Sequence, residues 1–301
     1  MDYKDQHFIP QGYLKAWCDP TTPEGQEPYV WRFTKDGAEA RRKPPKKVFF
    51  EKDLYTIHAA DGRRDLRLEH GLSELESRFG EVRRKIFDGQ PLDDADRLVL
   101  VAFVAAMHIR TPSQIGHVRG QWKNVLDRMN EMQRTIDESP EKARSYSGIP
   151  GSGPTLGIED VERLVHHTVE HTLEHTINGM APILFEMDVG LLVTDDPLGF
   201  ITCDAPVVFF DPAAHLRPWH MRGPGLGWRT IEVTFPISPR HLVLFNRQGI
   251  TARLPVPMSL LDELNRRTRF QAREHFVVTS NEKRDAWFTV QEPPTTDSPT
   301  R

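Results

Sequence analysis

Four stretches of the chain carry residue types that do chemistry in settings that ordinary secondary structure does not require. In "QHFIPQGYL" (Gln6 to Leu14), His7 stands in extended chain just ahead of Pro10, and a short helix beginning there would place Tyr13, Leu14 and Trp17 on one face. A histidine near neutral pH serves as acid, base or ligand, or as a structural donor. In "AMHIRTP", Arg110 directly follows an apolar run, so its guanidinium must either pair with a structural carboxylate such as Glu69 or Glu76 or hold an anion. In "FITCDAPVVFF", Asp204 ends an apolar strand before Pro206, the setting of a base or a ligand, and equally of an Asx turn. Cys203 beside it alternates to the opposite face and makes a poor nucleophile. In "VHHTVEHTLEHTI", His167, His171 and His175 recur every four residues and form one stripe flanked by Glu170 and Glu174. Such a stripe can share a zinc or iron ion, or it can be a solvated face; no HExxH or CxxC spacing supports the metal.

The elements that would position these residues follow from periodicity. "YVWRFTKDGAEARR" alternates Tyr29, Trp31 and Phe33 and turns at Asp36-Gly37, which predicts a hairpin. Further strands are expected around Asp61-Gly62. Leu72, Leu75, Phe79 and Val82 place a helix over about Glu69–Phe87, ended by Asp88-Gly89. Pro91, Asp93 and Asp94 open a second helix that is apolar all round from Leu98 to Ile109 except at His108, the mark of a central buried helix stopped by Pro112. A third helix runs over about Ser113–Glu138. A Ser/Gly/Pro-rich stretch from Ser139 to Gly157 reads as a loop, and a long helix follows from Ile158 to about Met187. Then come "VGLLVTD", "FITCD", "PVVFFD", "IEVTFPIS" and "HLVLFN" as strands, a last helix over about Ser259–His275, and the strand "FVVTS". The expectation is an α+β fold: a small N-terminal antiparallel β region, a central bundle of long helices, then C-terminal antiparallel strands and one helix. Residues 1–290 are expected to form a single domain, and 291–301 a disordered Pro/Thr-rich tail.

Composition narrows the classes. Of 301 residues, 38% are hydrophobic and 27% charged, which suits a globular chain. A net charge of −4 does not indicate nucleic acid, although "RRKPPKK" (Arg41 to Lys47) packs five cations into seven residues as a loop edge or an anion-facing surface. Two cysteines exclude a disulfide framework. The N-terminus lacks an apolar signal region, and Leu98–Met107 is too short for the ~20 residues a bilayer demands, so a cytoplasmic protein with no membrane partner is expected.

The motifs in series resemble DUF4238, a bacterial family of unknown function. The resemblance rests on "HFIPQGYL" (His7 to Leu14), Asp53-Leu54-Tyr55, "LEHGLSELES" with Glu69 and Glu76, Arg110-Thr111-Pro112, "TCDAP" around Asp204, Pro236 to Pro239, and Leu264-Asn265. The chain departs from the family pattern at Cys203, where the family usually has Ser, and at Ala205. The resemblance implies no activity, but it groups His7, Gln11, Tyr13, Glu69, Glu76, Arg110, Asp204 and Asn265. Three readings stay open. The first is a hydrolase, nuclease-like or acting on a phosphoester or amide of a small or anionic substrate. There His7 would be general acid/base, Asp204 its orienter and Arg110 the stabiliser of negative charge, with Gln11, Tyr13, Glu69, Glu76 and Asn265 toward substrate. The second is a non-catalytic ligand-binding or protein-interaction module in which the same residues form a buried structural network. The third is a His/Glu metalloprotein using His167, His171 and His175. The sequence names neither cofactor nor oligomeric state.

Overall fold

The computed structural model of the chain describes residues 5–58, 64–139 and 156–289. The Asp61-Gly62 turn, most of the expected 139–157 loop and the 291–301 tail lie outside the described residues. The fold is α+β. No linker in the sequence marks a place to cut 1–290, and the packing explains why. The chain forms two compact units, Met1–Phe8 with Phe50–Phe185 and Ile9–Phe49 with Glu186–Arg301, and passes between them three times.

The first unit is mainly helical. β1 (Asp5–His7) pairs antiparallel with β4 (Phe50–Lys52), and β5 (Ile57–His58) with β6 (Arg64–Asp65). β1 was not foreseen from the sequence, being too short to show alternation. The helices among the described residues are α2 (Arg67–Phe87), α3 (Asp94–Ile109), α4 (Pro112–Glu138), α5 (Ile158–His166) and α6 (Thr168–Phe185). α3 is the expected buried helix from Leu100 onward, where Leu100, Val101, Phe103, Val104 and Met107 are all inaccessible, whereas Leu98, expected in the buried run, is exposed. A reciprocal capping box between Asp93 and Asp96 starts it. Phe103 stacks on Phe79 of α2, with ring centroids 3.8 Å apart.

The Arg-Thr-Pro motif is a helix junction. Arg110 closes α3, the Thr111 Oγ1 accepts the Gln114 N–H at 3.4 Å as N-cap, and Pro112 takes the first position of α4, where no N–H is needed. The two helices diverge by 68°. No single helix among the described residues is long and apolar enough to cross a membrane.

The long helix expected from Ile158 to Met187 is two helices, broken at His167 (φ −114°, ψ 38°). The Thr168 hydroxyl donates to the carbonyls of Leu164 and Val165, both at 2.9 Å, and so competes for the acceptors that would continue α5.

The second unit holds two sheets. The five-stranded sheet has the order β12 (Arg253–Pro255), β7 (Asp188–Val193), β11 (His241–Asn246), β10 (Glu232–Ser238), β9 (Val208–Phe210), and only the β12–β7 pair is parallel. The four-stranded antiparallel sheet has the order β3 (Ala40–Lys43), β2 (Val30–Thr34), β13 (His275–Val278), β8 (Thr202–Cys203). β2 and β3 are the expected hairpin, turning through Gly37 at φ +72°. β12 escaped the sequence reading because three residues ending in proline show no period. The short α1 (Gln11–Leu14) precedes these strands, and α7 (Met258–Gln271) sends Leu261 and Leu264 into a cluster with Leu192, Phe200, Leu242 and Leu244. α7 ends before the expected His275, which instead begins β13.

Gly199 tests the packing of the second unit. It sits at φ +62°, and a Cβ there would meet the Pro239 carbonyl oxygen at 2.1 Å. Gly199→Ala combines left-handed strain with a clash against backbone, and should cost more than about 2 kcal/mol in chemical denaturation. Gly12→Ala, with no atom within 4 Å of the new methyl, should change stability by less than about 0.5 kcal/mol. Equal losses for the two would refute the placement of the Gly199 loop.

Candidate functional site

The polar residues singled out in the sequence fall into three local networks. The first is built on α1. Pro10 precedes the helix at φ −59° and ψ 141° and sends Tyr13 inward. The Tyr13 hydroxyl donates to the Pro236 carbonyl at 2.7 Å and shares a second bond with Thr202 Oγ1 at 2.7 Å. Its ring stacks on Phe235, with centroids 5.4 Å apart. Trp17, fully buried, donates from Nε1 to the Phe200 carbonyl at 2.8 Å. Gln11 is exposed at the start of the helix. This part of the opening motif fastens α1 to β8, β10 and the chain ahead of β8.

The second network centres on Asp204. Its two carboxylate oxygens accept three consecutive backbone N–H groups, those of Arg273 (2.7 Å), Glu274 (2.7 Å) and His275 (3.0 Å). The Asp204 N–H donates in return to the His275 carbonyl at 3.2 Å. This explains why α7 stops at Gln271: the next amides turn to a carboxylate and enter β13. Burial raises the Asp204 carboxyl above its usual range, against the opposing pull of those three donors. Asn265 acts alike. Its Oδ1 accepts the Ile201 N–H at 3.0 Å and its Nδ2 donates to the Gly199 carbonyl at 2.9 Å, so both ends of a buried amide find backbone partners. Cys203 is inaccessible, and burial holds its thiol well above the usual range, the environment of a packed thiol.

The third network lies in the first unit and joins Glu76 and Arg110, with Glu69 beside them, to two residues the sequence reading did not select as site candidates, Tyr55 and Gln6, the latter next to His7 in β1. His7 stands opposite Phe50 in the β1–β4 ladder, with rings 5.6 Å apart. Gln6 is inaccessible: its Oε1 accepts the Tyr55 N–H and its Nε2 donates to Thr56 Oγ1 at 3.0 Å. The Asp-Leu-Tyr motif is the matching turn, with Asp53 at φ +54°. Buried Tyr55 donates its hydroxyl to the Arg110 carbonyl at 3.3 Å. Arg110 is 1% exposed. One terminal nitrogen donates to Glu76 Oε1 at 2.8 Å and the other to the Met107 sulfur at 3.2 Å. Its Nε has no partner among the described residues. Burial, and then the charge of Glu76, raise the Glu69 carboxyl. One guanidinium therefore faces two carboxyl groups. The signal for Gln6 was a polar residue alternating with His7 in a strand too short to recognise.

Of the expected set, the structure brings Arg110 and Glu76 together. His7 and Arg110 belong to the first unit, whereas Gln11, Tyr13, Asp204 and Asn265 belong to the second. His167, His171 and His175 do not form one continuous helical stripe, since α5 ends at His166. His167 Nδ1 instead meets Glu170 Oε1 at 3.0 Å. Among the described residues, no three His, Cys, Asp or Glu side chains could hold a metal ion together. The cationic run 41–47 is largely engaged nearby: Arg41 pairs with Glu39 at 2.8 Å, Lys46 with Glu27 at 2.6 Å, and Arg42 lies over Tyr29 and Trp31. A cleft of about 350 Å³ in the second unit, lined by Val193, Thr194, Asp195, Asp196, Val256 and Leu261, lies at the small end of ligand-sized pockets.

These features define an α+β protein whose recurring polar motifs lie at helix junctions, strand ends and turns. The chain belongs to the DUF4238 family, described as a protein of unknown function, whose sequence model matches residues 5–283. No curated protein and no solved structure shows significant similarity to it.

His108, on α3, supplies a pH test of the first unit. Burial lowers its pKa from 6.5 to about 4. The folded state thus keeps it neutral where the unfolded chain takes up a proton. Its contribution is fully present above about pH 6.5 and declines as pH falls toward 4. Melting temperature should fall across that window, and His108→Gln should fall less. Parallel pH profiles for the two proteins would contradict a buried neutral His108.

Proposed function

We propose that this protein is a non-catalytic ligand-binding or protein-interaction module in which the recurring polar residues are internal fastenings. The observation that carries this reading is the Asp204 carboxylate, both of whose oxygens are occupied by the amides of Arg273, Glu274 and His275. Three of the roughly four acceptor sites of the carboxylate are thus spent on backbone, whereas an orienting carboxylate of a catalytic pair spends its acceptors on its histidine. Tyr13 and Asn265 support the same reading, because each side chain is buried and hydrogen-bonded to backbone. The Arg110 charge is matched by Glu76, with Glu69 beside it, which favours a structural ion pair over an anion clamp.

One observation favours a hydrolytic reading on different residues. Burial and the charge of Glu76 raise the Glu69 carboxyl while Glu76 pairs with Arg110, so two carboxyl groups on one helix meet unequal environments, the kind of pair from which acid and base roles are built. His7 and Arg110 would then assist Glu69, with Asp204 left as a fastening.

One measurement tests the Asp204 fastening, and a second separates the two readings. Asp204→Asn should lose about 1–3 kcal/mol of stability, because an amide group cannot accept all three N–H bonds. A panel of phosphomonoester, phosphodiester, ester and peptide substrates should show no turnover that distinguishes the wild type from His7→Ala, Glu69→Gln or Arg110→Lys. Turnover lost in any of these variants with an unchanged melting curve would establish catalysis and overturn the non-catalytic reading.

A further inference from the structure

The excursion between β9 and β10, residues 211–231, leaves the edge strand of the five-stranded sheet and returns to pair beside it. Its base is firmly tied. Buried Asp211 accepts the Thr230 hydroxyl at 2.7 Å and the Ala213 N–H at 3.0 Å, and it pairs with Arg217. The Arg217 guanidinium lies over the Trp228 ring, 4.1 Å from its centroid. Arg222 donates from Nε to the Arg217 carbonyl at 2.9 Å, and Arg247 Nε to the Leu226 carbonyl at 3.3 Å. Pro212, Pro218 and Pro224 restrict the chain further.

This tied loop presents apolar side chains to solvent. Trp219 is 83% exposed, Leu216 76% and Met221 46%. They sit on two successive 3-10 turns, Ala214–Leu216 and Trp219–Met221. Around them His215, His220, Arg222 and Arg229 are exposed, and no carboxylate occurs from Pro212 to Ile231. The loop therefore carries an apolar tip, two exposed arginines and no carboxylate on a chain whose net charge is −4.

We propose that this loop is a surface for an anionic lipid bilayer, with Trp219, Leu216 and Met221 entering the boundary between headgroups and acyl chains and Arg222 and Arg229 meeting lipid phosphates. Charge complementarity selects an anionic partner. The apolar trio selects a bilayer over a single-stranded nucleic acid, because Leu216 and Met221 offer no ring on which a base could stack. Tryptophan suits the headgroup level because its indole is apolar in body and polar at one edge. A loop lying on a membrane requires no spanning helix, so the absence of one among the described residues does not bear on it. The proposal is independent of whether the protein is catalytic.

The test is co-sedimentation of the full-length protein with two sets of vesicles, phosphatidylcholine alone and phosphatidylcholine with roughly one-third phosphatidylserine. Binding is expected to the anionic vesicles and to weaken with added salt. Trp219→Ser should weaken it at least about tenfold, since a buried indole accounts for more than one decade of affinity. Arg222→Gln with Arg229→Gln should reduce anionic binding alone. Because Trp219 and Leu216 are largely exposed, Trp219→Ser and Leu216→Ser should melt as the wild type does. No binding to either vesicle, equal binding to both, or binding unaffected by Trp219→Ser and by Leu216→Ser would overturn the proposal. Absence of vesicle binding together with Trp219-dependent self-association in sedimentation velocity would assign the patch to a protein surface instead.

Discussion

An amide N–H that leaves water must find an acceptor, and where α7 gives way to β13 the acceptor is Asp204. Three consecutive donors at a helix end would otherwise be left to solvent in a part of the chain that must enter the sheet. With the carboxylate in place the helix stops, His275 begins the strand, and β13 lies between β2 and β8 with Phe276 and Val278 in the core beside Trp287. The sheet order of half the second unit thus depends on one side chain placed some seventy residues earlier. The burial that this position demands raises the carboxyl pKa, and the three donors oppose that effect.

The first unit solves the same problem with opposite charge. Arg110 ends a helix that is inaccessible on nearly every face, so its guanidinium is carried into the interior by the apolar residues that precede it. Glu76 from α2 meets it, and the carbonyl of the same residue receives the Tyr55 hydroxyl. Tyr55 is in turn held by Gln6 from β1, so the opening strand, the Asp-Leu-Tyr turn and the helix junction form one connected path. Removing Glu76 would leave the Arg110 guanidinium charged in a place that water does not reach, which is the costly way to break such a pair, whereas Glu76 itself keeps a partly exposed side chain.

Much of this architecture was legible in the sequence. The 3.6-residue period of α2, the all-round apolar character of α3, its stop at Pro112 and the alternation of β2 are local signals, and they appear where local physics puts them. The partners of the polar residues were not legible. Asp204 reads as a candidate base because a carboxylate at a strand end is noticed by its type, whereas its partners are backbone amides that carry no residue identity at all. Asn265 was grouped only through the motif series, for the same reason. The break at His167 was hidden because the four-residue histidine repeat continues through it, and only the Thr168 hydroxyl back-bonding onto α5 reveals the interruption. The interleaving of the two units left no trace, since the crossings at Phe8–Ile9, Phe49–Phe50 and Phe185–Glu186 lie in ordinary sequence rather than in linkers.

A recurring polar residue therefore need not mark a reaction centre. In this chain Tyr13, Asp204 and Asn265 each satisfy backbone groups that the fold would otherwise bury without partners, a requirement as restrictive of residue type as catalysis is. The most direct measurement of that claim is native-state hydrogen exchange at the amides of Arg273, Glu274 and His275. If Asp204 is a fastening, all three exchange as slowly as the β13 amides that follow, and Asp204→Asn releases them while β10 and β11 stay protected. Rapid exchange of these three amides in the wild type would show the carboxylate to be free for other work, and would contradict the account.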